Sequence, residues 1–271
     1  MSLVQTDWLE KNLNDVKIID SSWHMPQVKR DGFEEYKNNH IPNAIFFDLD
    51  SNSKKDTNLP HMLVEMNIWE KIVSKMGINK DDKIIIYDNS DVISSCRCWF
   101  NFIYFGHDPN LVHVLNGGLK KWMNEKRKIT NNFTNIQTSD YKSFEKKELV
   151  KNKYLIDQNI KNKKFEVIDA RSRERFNGNI PEPRKGLRSG NIKNSFCLPF
   201  DHCLNKNKTF KSKDELKIIF ENCLKSVDEK DLVFSCGSGV TACVLALAYS
   251  LINDKYQPCI YDGSWAEYGL T

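Results

Sequence analysis

Apolar positions along this chain fall into two kinds of pattern. Short compact runs, "KIID" (17–20), "AIFF" (44–47), "KIIIY" (83–87) and "VHVL" (112–115), are rich in β-branched residues and bounded by polar ones. Runs of that kind predict strands buried on both faces of a sheet. Between them, segments such as "NIWEKIVSKMG" (67–77) space their apolar residues at three and four, which places those residues on one face of a helix. Strands alternating with helices imply an α/β fold with a mostly parallel sheet flanked by helices.

The pattern then repeats. "VKIIDSSW", "HIPNAIFFDLD", "DKIIIYDNSDVISSCRCW" and "VHVLNGGLKKW" in the first half meet "FEVIDARS", "NIKNSFCLPFD", "KDLVFSCGSGVTACVLAL" and "PCIYDGSWAEY" in the second, in the same order. Asp20 and Asp169 are 149 residues apart, Asn43 and Asn194 are 151 apart, and Gly117 and Gly263 are 146 apart. Offsets that similar over four segments argue for a duplicated domain rather than chance. Residues 124–148 between the halves carry few large apolar residues and read as a surface linker, so the expected domains are 1–138 and 139–271.

Composition narrows the class. With 271 residues, 40% of them hydrophobic, the chain can bury two ordinary cores. Its longest apolar stretch, "ACVLALAYSLI", is well short of the ~20 residues of a membrane span, and the N-terminal sequence has no basic start followed by an apolar run. A cytoplasmic protein with no membrane partner is expected. The eight cysteines are then expected as free thiols, since a reducing compartment does not sustain disulfides. The net charge of +4 comes from lysines scattered among asparagines, without a basic run interleaved with aromatics, so no nucleic-acid partner is expected. "CRC" (96–98) lacks a second pair at zinc-site spacing, so no metal is expected either; Cys96 and Cys98 read as packing residues.

One stretch carries chemistry. In "VFSCGSGVTACVLALA" (233–248) a strand ends at Cys236, the glycines of "CGSG" permit unusual backbone angles, and an apolar helix begins near Thr241. Ligands of open α/β sheets bind at such carboxyl ends, and loop N–H groups with a helix N-terminus favour an anion there. A cysteine chosen at random is more often a small buried hydrophobe, but this setting makes Cys236 a candidate nucleophile. Cys243, one to two helical turns further on, reads as core. Aligning "IIIYD" with "LVFSC" puts Asp88 where Cys236 stands, so the first half is expected to be a catalytically silent copy.

Taken together, "HIPNAIFFDLD", "LPHML", "YDNSDVISSCRCWF", "LNGGLKKW", "CGSGVTA", "EPRKG" and "YDGSWAEYG" resemble the two-domain rhodanese-like sulfurtransferases, over nearly the whole chain. The loop is most similar to the mercaptopyruvate branch. The resemblance implies two tandem rhodanese-like domains and an enzyme that moves sulfur from 3-mercaptopyruvate, a small 2-oxo thiol, to a thiol, thioredoxin or cyanide acceptor. It implies no cofactor beyond a persulfide on Cys236. Arg175 in "RERFNG" and Arg184 in "PEPRKG" match the family's pair of substrate-gripping arginines; a guanidinium suits a planar carboxylate through paired hydrogen bonds. Gly237, Gly239, Val240 and Thr241 complete the expected substrate-binding loop. Ser238, His61 in "LPHML" and Asp50 in "FFDLD" match the family's proton-handling constellation, the last two coming from the first half.

Thiosulfate-specific relatives carry basic residues just after the cysteine, whereas Gly237 and Ser238 leave this loop uncharged, which favours mercaptopyruvate over the thiosulfate alternative. A cysteine phosphatase would close its loop with an arginine, and "TACVLA" has none. A sulfur carrier or binding module would need the cysteine alone, not the arginine pair or the His61/Asp50 pair. The chain departs from the family at "GNIKNS", where Asn191 and Lys193 replace histidine and proline; altered local packing is expected there.

Overall fold

The computed structural model describes residues 2–224 and 231–271. Two compact units make up the chain. The first comprises Met1–Lys55, Leu63–Lys146 and Lys206–Thr209, and the second Asp56–Met62, Lys147–Asn205 and Phe210–Thr271.

In the first unit the strands are β1 (Leu3–Val4), β2 (Lys17–Asp20), β3 (Ala44–Phe46), β4 (Ile84–Tyr87) and β5 (Val112–Leu115). They form one parallel sheet in the order β1-β5-β4-β2-β3. Its helices are α1 (Thr6–Lys11), α2 (Gly32–Asn38), α3 (Met66–Lys75), α4 (Ser95–Tyr104) and α5 (Gly118–Asn124). Four of the strands are the compact runs of the sequence. The fifth, β1, is two residues long, too short to show a periodicity, and its pairing with β5 at the sheet edge defines it. Ile18, Ile85, Leu115 and Trp122 pack with Leu9 in a buried cluster. The segment read as a linker runs irregularly as far as Lys146 with this unit, and Tyr141 is fully buried with its hydroxyl 3.1 Å from His107 Nδ1.

The second unit repeats the plan. β6 (Val150–Lys151), β7 (Phe165–Asp169), β8 (Phe196–Cys197), β9 (Asp231–Ser235) and β10 (Ile260–Tyr261) form a parallel sheet in the order β6-β10-β9-β7-β8. Around it lie α6 (Lys153–Asn162), α7 (Arg173–Phe176), α8 (Lys213–Leu224), α9 (Val240–Ser250) and α10 (Ser264–Tyr268). Every residue of α9 from Ala242 to Tyr249 is buried, as expected of a helix apolar on all sides. Asn43 and Asn194, paired in the sequence repeat, both take left-handed φ values, 67° and 65°. Each donates its side-chain amide to the carbonyl of an earlier turn, Leu13 and Ile160 respectively. That backbone geometry favours asparagine, which explains why both halves keep it.

In each sheet the strand order reverses beside the central strand, between β2 and β4 and between β7 and β9. Such switch points open a crevice at the carboxyl ends of the strands. Among the described residues no helix is long and apolar enough to cross a membrane, and no group of three His, Cys, Asp or Glu residues could hold a metal ion.

Candidate active site

The crevice of the second unit lies between the segments that follow β7 and β9. Cys236 comes directly after β9, 1% exposed, and Gly237, Ser238 and Gly239 lead into α9. Gly239 has φ +78° and is the residue that turns the loop into the helix. Val240 is the first helical residue and Thr241 the second. The loop is fastened from behind by α10. Trp265 N–H donates to the Cys236 carbonyl and Ala266 N–H to the Gly237 carbonyl, both at 2.9 Å. Cys236 N–H donates to Ser264 Oγ at 3.1 Å, and that hydroxyl in turn donates to the Tyr261 carbonyl at 2.8 Å. Ser264 takes φ +49° to do so, a conformation that side chains with a Cβ seldom adopt. The Cys236 N–H is thus committed within the fold and does not join the loop's anion-facing donors.

The other cysteines of this unit differ from Cys236 in their surroundings. Burial pushes the thiols of Cys197, Cys203 and Cys259 up to about 12 and that of Cys223 to about 11, so these four stay protonated at neutral pH. Cys243 is fully buried on α9 with its Sγ 3.2 Å from the Gly239 carbonyl, in keeping with a core residue. In the first unit Cys96 and Cys98 are buried on α4, and burial drives the Cys98 thiol well above its ordinary value.

Both predicted arginines reach the loop. A Cβ added to Gly237 would lie 3.2 Å from Arg175 Nη2 and 3.8 Å from Arg184 Nη1, so the two guanidinium groups stand directly over that glycine. The absence of a side chain at Gly237 is what makes room for them. Arg175 is on α7, whose start is capped by Ser172, and Arg184 is in the irregular segment that follows.

His61 comes from the first half of the sequence but lies in the short segment Asp56–Met62 that belongs to the second compact unit. It is buried, and its Nδ1 is 3.0 Å from Ser238 Oγ, two residues beyond Cys236. Its φ of +60° is a left-handed value that side chains with a Cβ seldom adopt. Asp50 is in the first unit and exposed, where its carboxylate accepts a hydrogen bond from Trp23 Nε1 at 2.9 Å.

Sequence reasoning passed over two acidic residues beside the arginines. Asp169, at the end of β7, is bound by Arg171, whose Nη2 donates to Asp169 Oδ2 at 2.7 Å while Nη1 donates to Glu182 Oε1 at the same distance. Burial works against the charge of Arg171, but Asp169 and Glu182 outweigh it and hold the guanidinium pKa above its ordinary value. Glu182 also accepts from Arg175 through Nε and Nη2. The alternation of acid and base in "DARSRERFNGNIPEPR" was the available signal. Asn191, which departs from the family pattern, donates its amide to the Phe176 carbonyl at 3.0 Å and so ties the end of α7 to this segment.

The rhodanese-like domain family matches residues 5–125 and again 153–270. The chain belongs to the rhodanese-like family. Among its relatives, thiosulfate/3-mercaptopyruvate sulfurtransferase 1, mitochondrial, of Arabidopsis thaliana is 37% identical, over 98% of this chain and 75% of the relative. Thiosulfate sulfurtransferase of Mus musculus is 34% identical, over 98% and 91% respectively. SseA of Escherichia coli, solved as a 3-mercaptopyruvate sulfotransferase with the rhodanese fold, superposes with a TM-score of 0.88 at 30% identity, covering 98% of this chain and 99% of SseA. The chain is accordingly a two-domain rhodanese-like sulfurtransferase. The named donors of these rhodanese-like relatives divide between two compounds, so overall identity does not choose one.

Proposed function

We propose that this rhodanese-like enzyme takes sulfur from 3-mercaptopyruvate onto Cys236 and passes it to a thiol, thioredoxin-type or cyanide acceptor. The observation that carries the reading is the pair of guanidinium groups over Gly237, beside a loop with no cation of its own. A 2-oxo acid is charged at one end only. Its planar carboxylate and ketone match two guanidinium forks, whereas a compact dianion would be better held by cations within the loop.

In the proposed step the Cys236 thiolate attacks the substrate sulfur. A sulfur–sulfur bond forms, the carbon–sulfur bond breaks, and its electron pair is released as the enolate of pyruvate. The His61–Ser238 pair is suited to delivering the proton that turns the enolate into pyruvate, since a hydroxyl coupled to an imidazole transfers protons better than one alone. Asp50 is proposed as a further member of that proton path. The Cys236 persulfide then gives its outer sulfur to the acceptor, and no cofactor is required. The first domain, with Asp88 in place of the cysteine, is proposed to turn over no substrate.

Steady-state rates with mercaptopyruvate and thiosulfate, measured side by side, test the donor. Mercaptopyruvate is expected to have the larger kcat/KM, and incubation with it should add one sulfur to the peptide containing Cys236. A larger kcat/KM with thiosulfate would establish the alternative, and sulfur found on Cys243 or Cys259 would mean that Cys236 is not the nucleophile.

A further inference from the structure

Glu182 is a carboxylate whose side chain is 1% exposed, an expensive location for a charge unless it is fully paired. Its pairing is complete and divided between two arginines. Oε1 accepts from Arg171 Nη1 at 2.7 Å and from Arg175 Nε at 3.2 Å, and Oε2 accepts from Arg175 Nη2 at 2.5 Å. Arg171 is itself immobilised. It holds Asp169 through Nε and Nη2, donates to the Gly190 carbonyl at 2.8 Å, and lies over the ring of Trp265, 4.3 Å from its centroid. Trp265 N–H in turn holds the Cys236 carbonyl. A closed series of contacts therefore runs from the cysteine loop through Trp265, Arg171 and Glu182 to Arg175, whose Nη2 returns to the loop over Gly237.

Arg175 is the half-exposed end of this series, with 22% of its side chain accessible against 1% for Arg171 and Glu182. Among the described residues its side chain donates only through Nε and Nη2, both to Glu182. The fork formed by Nη1 and the second hydrogen of Nη2 faces away from Glu182. Glu182 also offsets the charge of Arg175 where that guanidinium meets the loop over Gly237.

From this we propose that Glu182 is the positioning and specificity residue of the site. It turns the fork of Arg175 toward a carboxylate bound beside Cys236, and it lowers the local positive charge so that a monoanionic donor is preferred over a dianion. The inference rests on the reading of Arg175 as a substrate-binding residue. Glu182→Gln tests it, because glutamine keeps one acceptor oxygen and turns an amide donor on the N–H groups of Arg175.

The kcat/KM ratio of mercaptopyruvate to thiosulfate is expected to fall at least about tenfold, the worth of one charge-assisted hydrogen bond, chiefly through a higher KM for mercaptopyruvate. A second readout needs no sulfur donor. The rate of Cys236 alkylation by iodoacetate, which has a carboxylate, is divided by that for neutral iodoacetamide, and this quotient should also fall several-fold. Glu182→Asp, which keeps the charge but withdraws it by one methylene, should give an intermediate fall and serves if the glutamine variant does not fold. Equal losses with both donors and an unchanged alkylation quotient would make Glu182 merely structural and overturn the inference. A wild-type enzyme with no mercaptopyruvate turnover would instead remove the donor reading, and the alkylation quotient would then decide the role of Glu182 by itself.

Discussion

The loops that follow β4 and β9 are the same device completed in two ways. Each leaves the carboxyl end of a central strand, and each is fastened by the helix after the next strand. Leu119 N–H donates to the Asp88 carbonyl at 2.9 Å in the first unit, as Trp265 N–H does to Cys236 in the second. In the first loop the end residue is a carboxylate, Asp88, whose two oxygens accept the N–H groups of Ser90 and Ser95 at 2.8 and 2.9 Å. Two of the loop's donors are thereby taken by an acid that belongs to the chain. In the second loop the end residue is Cys236, which has a thiol where the first loop has a carboxylate. Two residues on, the loops diverge again, since Ser90 Oγ donates to the Trp23 carbonyl while Ser238 Oγ meets His61. The strands beside the central ones show a matching difference. Asp20 at the end of β2 is served by Ser22, through its N–H and its hydroxyl, where Asp169 at the end of β7 has the guanidinium of Arg171. A duplicated fold thus differs between its copies at a few strand-end positions, which set what each loop presents.

The largest expected effect comes from exchanging those end residues. Cys236→Ser should lower turnover at least about a thousandfold without a matching loss of thermal stability, because the nucleophile has no substitute. The double variant Asp88→Cys/Cys236→Ser should remain as inactive. Turnover regained in the double variant would break the comparison, for it would mean that the first loop lacks only a thiol.

Next in size is the proton path. His61→Ala should lower kcat about a hundredfold with mercaptopyruvate, within the range for general acid–base groups, and raise KM little. A change confined to KM would assign His61 to binding instead.

The smallest expected effect concerns stability and sharpens the contrast between Asp20 and Asp169. Burial raises Asp20 from 3.8 to about 7, and among the described residues no cation pairs with it as Arg171 does with Asp169. Between about pH 4 and pH 7 the folded chain keeps this proton while the unfolded chain loses it. The unfolded state then binds fewer protons, so stability falls as pH rises through that window and is greatest below it. Asp20→Asn should remove this slope and raise stability at pH 7–8 by something on the order of 2 kcal/mol, below the ~4 kcal/mol ceiling that such a shift sets. Urea unfolding of both proteins at pH 5 and pH 8 would measure it, and an unchanged slope would show that Asp20 is ionised in the folded protein.

Much of this was legible because duplication writes the same constraint twice. Asp20 with Asp169 and Asn43 with Asn194 mark strand ends and left-handed turns that a single copy would not have distinguished from chance. The cysteine loop could be read because glycine placement and a fully apolar helix are local properties of the chain. Other features depend on partners far away in sequence. β1 and β6 exist only through their pairing with β5 and β10. Glu182 looks like any surface glutamate until Arg171 and Arg175 close on it. Ser264 reads as an ordinary helix start, but its hydroxyl is tied to the cysteine loop 28 residues away. The third pair of the repeat shows where local reading stops, since Gly117 has φ +90° and Gly263 φ −62°, while the left-handed value both units share falls one position later, at Gly118 (+55°) and Ser264 (+49°).

Each compact unit also houses a short length of its twin, Lys206–Thr209 in the first and Asp56–Met62 in the second. No single cut of the polypeptide separates them cleanly. Severed between Lys146 and Lys147, the first fragment would keep seven residues that group with the second unit, and the second would carry off four that group with the first. The seam of the repeat in the sequence is therefore not the seam of the folded units.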